Sequence, residues 1–280
     1  MLKNKITISG HLGSGKTVLA KKLQAYLSYE ILSVGGIQRK LAMQYGMDTT
    51  TFNKYMETHP EIDIECDNMV SRYGKSDEPL ILDSRLAWHF VPHAFKIHLI
   101  VSKTIAGKRI FGDTVRENEK HASIEDTIRS NYERRKSEVM RFKKQYGVDI
   151  DDIYNYDLVL DTSYVTPDEV FECVKNQYLL WQNGQKHQSL WLSPKNLFPT
   201  RLDDNELHTG ADIVVSKANA WFFIQHNHKK VSEGLKNNLG IVPCQIDKTV
   251  NSNILANYNC EIAVKWANNH GFVFDEFPSV

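Results

Sequence analysis

The sequence predicts an α/β fold, a parallel sheet flanked by helices, followed by a small α+β region. Three features of the 280-residue chain carry this expectation. A β-branched run, Lys5-Ile6-Thr7-Ile8-Ser9, ends at Gly10 and leads through a glycine-rich stretch into residues 17–27, where apolar side chains recur at helical spacing. Short apolar runs at 30–34, 80–83, 97–101 and 158–160 then alternate with helix-periodic segments at 36–45, 60–73, 104–117 and 123–146. Strands that alternate with helices build parallel sheets covered on both faces. Third, the composition changes at Gln182-Asn-Gly-Gln-Lys-His-Gln, a polar stretch that reads as a linker.

Before that linker, Pro167 opens a last helix with Thr166 as its N-cap, an order that presets φ and satisfies an orphan N–H. The boundary is placed at 183/184, giving residues 1–183 and 184–280 as two domains. In the second, strands are expected at 213–216, 221–224 and 242–246, and helices at 231–239 and 261–269.

Composition excludes several classes. With 41% hydrophobic residues and 24% charged, the chain can bury a core and is neither disordered nor fibrous. No apolar run approaches the roughly 20 residues that span a bilayer, and no secretory leader is apparent at the N-terminus. The 34 basic and 34 acidic residues cancel, as do the nine of each sign after 183, which argues against direct nucleic-acid binding. Cys66, Cys173, Cys244 and Cys260 are scattered, as expected of reduced thiols in a cytoplasmic protein.

Gly10-His-Leu-Gly13-Ser14-Gly15-Lys16-Thr17 fits G-x-x-x-x-G-K-[ST] in full, between a strand and an amphipathic helix. Such a loop wraps a polyphosphate with inward N–H groups, and the following helix presents its positive end. Lys16 is placed to reach the β- and γ-phosphates of ATP, and Thr17 to ligate Mg²⁺. Asp83, ending an apolar strand, is expected near that ion. A GTPase would carry an Asn-Lys-x-Asp motif after a later strand, and the Asn-Lys pairs here lack the Asp. The chain offers arginines instead: Arg39, Arg85, Arg109, Arg116, Arg134, Arg135 and Arg141, suited to bidentate phosphate contacts. Arg135 with Lys136, Lys143 and Lys144 also fits a solvated helix face. His11 reads as a variable loop position, and His59, His89, His93 and His98 show no metal-ligand spacing.

Several segments occur in the order found in cytidylate kinases: the phosphate loop, Ser33-Val-Gly-Gly-Ile-Gln-Arg39, Phe52-Asn53, Pro60-Glu-Ile-Asp63, Leu82-Asp-Ser-Arg-Leu86, Ser137-Glu138-x-x-Arg141 and Tyr156-Asp-Leu-Val-Leu-Asp-Thr-Ser163. Residues 1–180 thus resemble the compact, archaeal-type branch of that family, departing at Ser84, where relatives usually place glycine. The resemblance implies a P-loop nucleoside monophosphate kinase, moving the γ-phosphate of MgATP to CMP or dCMP. It implies that Ser33, Arg39, Asp63 and Arg85 line the acceptor pocket, and that Glu138 and Arg141 act around the cytosine and acceptor phosphate. Arg109, Arg116 and Arg134 are implied as lid arginines. Two other readings stay open: a P-loop kinase for another small molecule or modified nucleotide, and a nucleotide-dependent regulatory protein.

Residues 190–250 resemble more weakly the ParB N-terminal/sulfiredoxin-like fold. His226-Asn227-His228-Lys229 stands where that fold has a Gly-x-His-Arg-type phosphate turn. The resemblance implies either a second nucleotide site, with Lys229 as the phosphate charge, or a region kept for structure and partner recognition.

Overall fold

The computed structural model describes residues 3–113, 122–202, 212–247, 254–255 and 258–278. The first strand, β1 (Lys5–Gly10), is buried along its whole length, as a central parallel strand must be. It feeds α1 (Lys16–Leu27), then β2 (Glu30–Ser33), α2 (Val34–Gln44), α3 (Thr49–Tyr55) and α4 (Pro60–Gly74). Next come β3 (Leu80–Asp83), the short α5 (Ala87–Phe90), β4 (Phe95–Ile100), α6 (Lys103–Phe111) and α7 (Ile124–Tyr146). The helix expected over 104–117 stops at Phe111, where Gly112 caps it, and residues 114–117 lie outside the description. The alternation closes with β5 (Leu158–Asp161) and α8 (Pro167–Gln182), where Thr166 and Glu169 form a reciprocal capping box.

Strands β2, β3, β1, β4 and β5 lie side by side and parallel. β1 sits between β3 and β4, so the chain leaves it toward one edge and later returns on the other side. The crevice at its carboxyl end is the switch point where α/β sheets bind ligands. Leu19, Leu23, Val170, Val174 and Tyr178 of α1 and α8 are buried against Ile6, Ile97 and Leu160.

Beyond the linker come β6 (Leu190–Leu192), β7 (Leu197–Pro199), β8 (Ile213–Ala218), β9 (Trp221–His226), α9 (His228–Lys236), β10 (Val242–Ile246) and α10 (Cys260–Asn269). The strand, strand, turn, helix, strand order expected here is present. The boundary expected at 183/184, however, falls at a loop inside one sheet. β6 adds to β5 in parallel, β10 adds to β6, and the ten strands run β2-β3-β1-β4-β5-β6-β10-β8-β9-β7. The reason is packing: Phe142, Tyr156 and Val159 share one apolar cluster with Phe198, Phe223 and Trp266. A fully buried side chain of this size stabilises by about 1.5–3 kcal/mol, so the two segments support each other across the linker. Asp161, at the end of β5, bolts the join. It accepts from Ser163 N–H (2.9 Å), Asn196 Nδ2 (2.7 Å) and Ser193 N–H (3.3 Å). No helix of the described residues is long and apolar enough to cross a membrane.

Candidate active site

The phosphate loop turns on glycine geometry. Gly10 has φ +138°, and a Cβ there would lie 2.1 Å from the Leu99 carbonyl oxygen, a backbone atom that cannot step aside. Gly15 meets nothing nearby but takes the left-handed conformation, φ +85°, that starts α1. Gly10→Ala is expected to destabilise the fold by roughly 1–3 kcal/mol through overpacking, read as a lower urea midpoint at unchanged slope.

Lys16 closes the loop on itself, donating from Nζ to the carbonyls of Gly10 (3.0 Å) and His11 (2.6 Å). Ser14 Oγ donates to the same His11 oxygen at 2.9 Å. Burial, and then the nearby Arg85 charge, hold the Lys16 ammonium well below its ordinary pKa. A phosphate arriving here would supply the missing anion. Thr17 is the second residue of α1, and Asp83 ends β3, the strand beside β1, with one carboxylate oxygen accepting from Ser33 Oγ at 3.3 Å. A hydroxyl and a carboxylate are hard oxygen donors that suit Mg²⁺, so this pair fits the ion a nucleotide would bring.

Across from the loop, α7 and the segment after β3 assemble arginines around a buried carboxylate. Arg85 Nε donates to Glu138 Oε2 at 2.9 Å, Arg134 Nε donates to Oε1 at 3.3 Å, and Arg135 Nη1 lies 4.0 Å from Oε2. Burial alone would raise the Glu138 carboxyl, but the three guanidiniums outweigh it and hold it down at about 2. Arg135 also bonds Asp151, so this guanidinium links the two carboxylates. One helical turn further along, Arg141 pairs with Asp63 (Nε to Oδ2, 3.1 Å) and donates from Nη1 to Asn53 O (2.8 Å) and Oδ1 (3.0 Å). Burial raises the Asp63 carboxyl, with Arg141 opposing. Asp67, buried on the same helix, is pushed up to about 7 even though Tyr146 Oη donates to it at 2.6 Å.

The structure therefore brings together Ser33, Asp63, Asp83, Arg85, Arg134, Glu138 and Arg141 of the residues expected from sequence. Arg39 stands exposed on α2, with no ion pair among the described residues. Arg109 is not open above the loop. Its guanidinium donates to the carbonyls of Thr162 (2.6 Å), Ser163 (3.3 Å) and Gly13 (3.3 Å), stitching the phosphate loop to the end of β5. Arg116 lies outside the described residues. Ser84 fits where glycine was the family expectation: it is buried, and its Oγ accepts from Leu86 N–H at 3.3 Å.

In the C-terminal region, Asn227 takes the left-handed turn, φ +66°, so the turn forms without glycine. His228 is fully buried and its Nε2 lies 3.2 Å from Thr200 N, while Lys229 is exposed. His228 is thus part of the core, while His226 is only partly buried.

Sequence reasoning missed the partners of one residue and the grouping of three others. Arg135, left open between a phosphate contact and a solvated helix face, sits between Glu138 and Asp151. His11 and His98 approach Asp151, and nothing in their spacing announces it. Burial, followed by the Arg135 charge, lowers His11 to about 4, and burial likewise lowers His98.

Comparison with known proteins places the chain in a family. A protein of Lacinutrix mariniflava named S-adenosylmethionine-dependent nucleotide dehydratase is 36% identical over 181 residues. That match takes in 63% of this chain but only 36% of the relative, so the chain spans about a third of that protein. A cytidylate kinase of Methanosarcina acetivorans is 36% identical over 160 residues, covering 56% of this chain and 86% of the relative. Among solved structures, a shikimate kinase from Bacteroides thetaiotaomicron aligns with TM-score 0.44 and 12% identity, covering 63% of this chain and 98% of that one. The family model described as cytidylate kinase-like matches residues 5–164, from the first residue of β1 to just past the Asp161-Thr-Ser turn. With its phosphate loop, its α7 arginines and more than half its length inside that match, the chain belongs to the cytidylate kinase-like family.

Proposed function

We propose that the protein is a nucleoside monophosphate kinase that transfers the γ-phosphate of ATP to CMP or dCMP. The observation that carries this reading is the pairing of a complete phosphate loop with three largely buried arginines, Arg85, Arg134 and Arg135, gathered on Glu138. The loop amides and Lys16 would hold the donor phosphates, and Arg85 and Arg134 would turn from Glu138 to the acceptor phosphate. Magnesium, held by Thr17 and Asp83, would neutralise phosphate charge. No general base is needed, because the attacking oxygen of a phosphate monoester is already an anion. In-line transfer then depends on positioning and charge neutralisation, which is what these side chains supply. Asp63, Asn53 and Arg141 form the polar wall suited to hydrogen-bonding a base.

ADP release measured with MgATP and a panel of CMP, dCMP, UMP, AMP and GMP tests this. Turnover confined to the cytidine nucleotides is the expected result, and acceptor-independent hydrolysis would overturn it. Arg85→Gln is expected to raise the acceptor KM about 10- to 100-fold, the worth of a charged hydrogen bond of roughly 1.5–3 kcal/mol, and to leave the ATP KM close to wild type. A second reading, a kinase for a modified nucleotide, draws on the dehydratase-named relative, and the same assay with modified monophosphates separates the two.

A further inference from the structure

Three side chains far apart in the chain meet at the wall of a cavity of about 650 Å³, roofed by the β8–β9 hairpin. His11 comes from the phosphate loop, His98 from the middle of β4 and Asp151 from the turn after α7. One ligand atom of each lies within 4.8 Å of the other two. Both imidazoles are held from behind. His11 Nδ1 lies 3.3 Å from Val101 N and from Val101 O, and His98 Nδ1 lies 2.9 Å from Ser9 Oγ. An Nδ1 engaged in this way fixes the ring and leaves Nε2 as the second nitrogen, the arrangement that orients metal-ligating histidines. His98 is further braced by stacking on Tyr156, ring centroids 4.3 Å apart. Asp151 is oriented by Arg135, which occupies one carboxylate oxygen.

We propose that His11, His98 and Asp151 form a site for one borderline divalent cation of the zinc class, with its fourth position open to the cavity. Two nitrogens and one carboxylate oxygen match zinc and its neighbours, whereas magnesium prefers an all-oxygen shell. At metal–ligand distances near 2.0–2.1 Å, tetrahedral donors stand roughly 3.3 Å apart, so the set closes by drawing in up to roughly 1.5 Å. His11 and Asp151, both only partly buried, can make that adjustment while His98 stays fixed. Arg135 fits the carboxylate partner of an outer shell, and with Lys217 on the cavity wall it favours an anion or hydroxide as the fourth ligand. The cation would tie the phosphate loop to the turn that ends α7.

The test is a Co²⁺ titration of the chelator-stripped full-length protein, without nucleotide and with excess Mg²⁺ to fill oxygen sites. One Co²⁺ per chain is expected, with the visible bands of a low-coordinate nitrogen–oxygen site and displacement by Zn²⁺. Asp151→Asn and His11→Gln are each expected to weaken it by more than the roughly 10- to 100-fold that loss of an outer-shell partner costs. Asp151 has a side chain 45% exposed, so its asparagine variant is expected to fold, which circular dichroism checks. No Co²⁺ spectrum, or one unchanged in both variants, overturns the site.

Discussion

Lys16→Ala is expected to lower kcat by at least about 10²-fold, the usual cost of removing one preorganised donor at developing charge. The fold is expected to survive, because Lys16 braces only two carbonyls of its own loop, Gly10 O and His11 O, and water can replace it there. Its position makes the loss specific. The ammonium is held in a site that disfavours its charge, through burial and then Arg85, so it is poised to gain an anionic partner. A polyphosphate provides that anion, and its charge is greatest as the γ-phosphoryl group departs. A KM effect on ATP alone would assign Lys16 to ground-state binding, while equal falls in kcat and kcat/KM would place it in the transition state. Wild-type turnover in the variant would remove this loop from the chemistry. A urea melt alongside the kinetics distinguishes loss of function from loss of fold.

What the sequence made legible follows the range of the interactions involved. The phosphate loop was readable because its chemistry is local: Gly10, Gly15, Lys16 and Thr17 act within eight consecutive residues between a strand and a helix. The alternating elements through α8 were readable for the same reason, as was the Thr166 capping box. The partners of the arginines were not. That Arg85 and Arg134 converge on Glu138, while Arg109 turns to carbonyls at the end of β5, depends on how α6 and α7 pack, and a guanidinium's spacing carries no sign of it. Neither could composition show that β6 would extend the first sheet. The polar linker marks a real loop, but strand pairing beyond it is set by apolar faces such as Phe198 and Phe223, whose partners come from both sides of residue 184. The His11, His98 and Asp151 grouping is the extreme case, because three elements must be in place before it exists.

Glu138 supplies the prediction with the largest effect on stability. Glu138→Gln keeps the shape and removes the charge, leaving Arg85, Arg134 and Arg135 without the buried anion they share. Breaking a buried ion pair from one side costs about 3–5 kcal/mol, since the remaining charges stay desolvated. The pH dependence carries the same information with a definite sign. The Glu138 carboxyl is depressed from 4.5 to about 2 in the folded protein, so its contribution is fully present above pH 4.5 and fades as pH falls toward about 2. That shift corresponds to about 3 kcal/mol of stability in the wild type. The glutamine variant has no such group, so its stability curve should be flatter across that window while lying lower at pH 7. Urea denaturation of both proteins between pH 2.5 and 7 reads the difference directly. Curves that run parallel would mean that other carboxylates, and not Glu138, set the acid sensitivity of the fold, since guanidiniums do not titrate in this range. An acceptor phosphate competes with Glu138 for the same guanidiniums, so saturating CMP should restore more stability to the variant than to the wild type, following RT ln(1 + [L]/Kd) with a lower Kd. That asymmetry is peculiar to an anion site: a residue that merely filled space would leave ligand stabilisation equal in the two proteins.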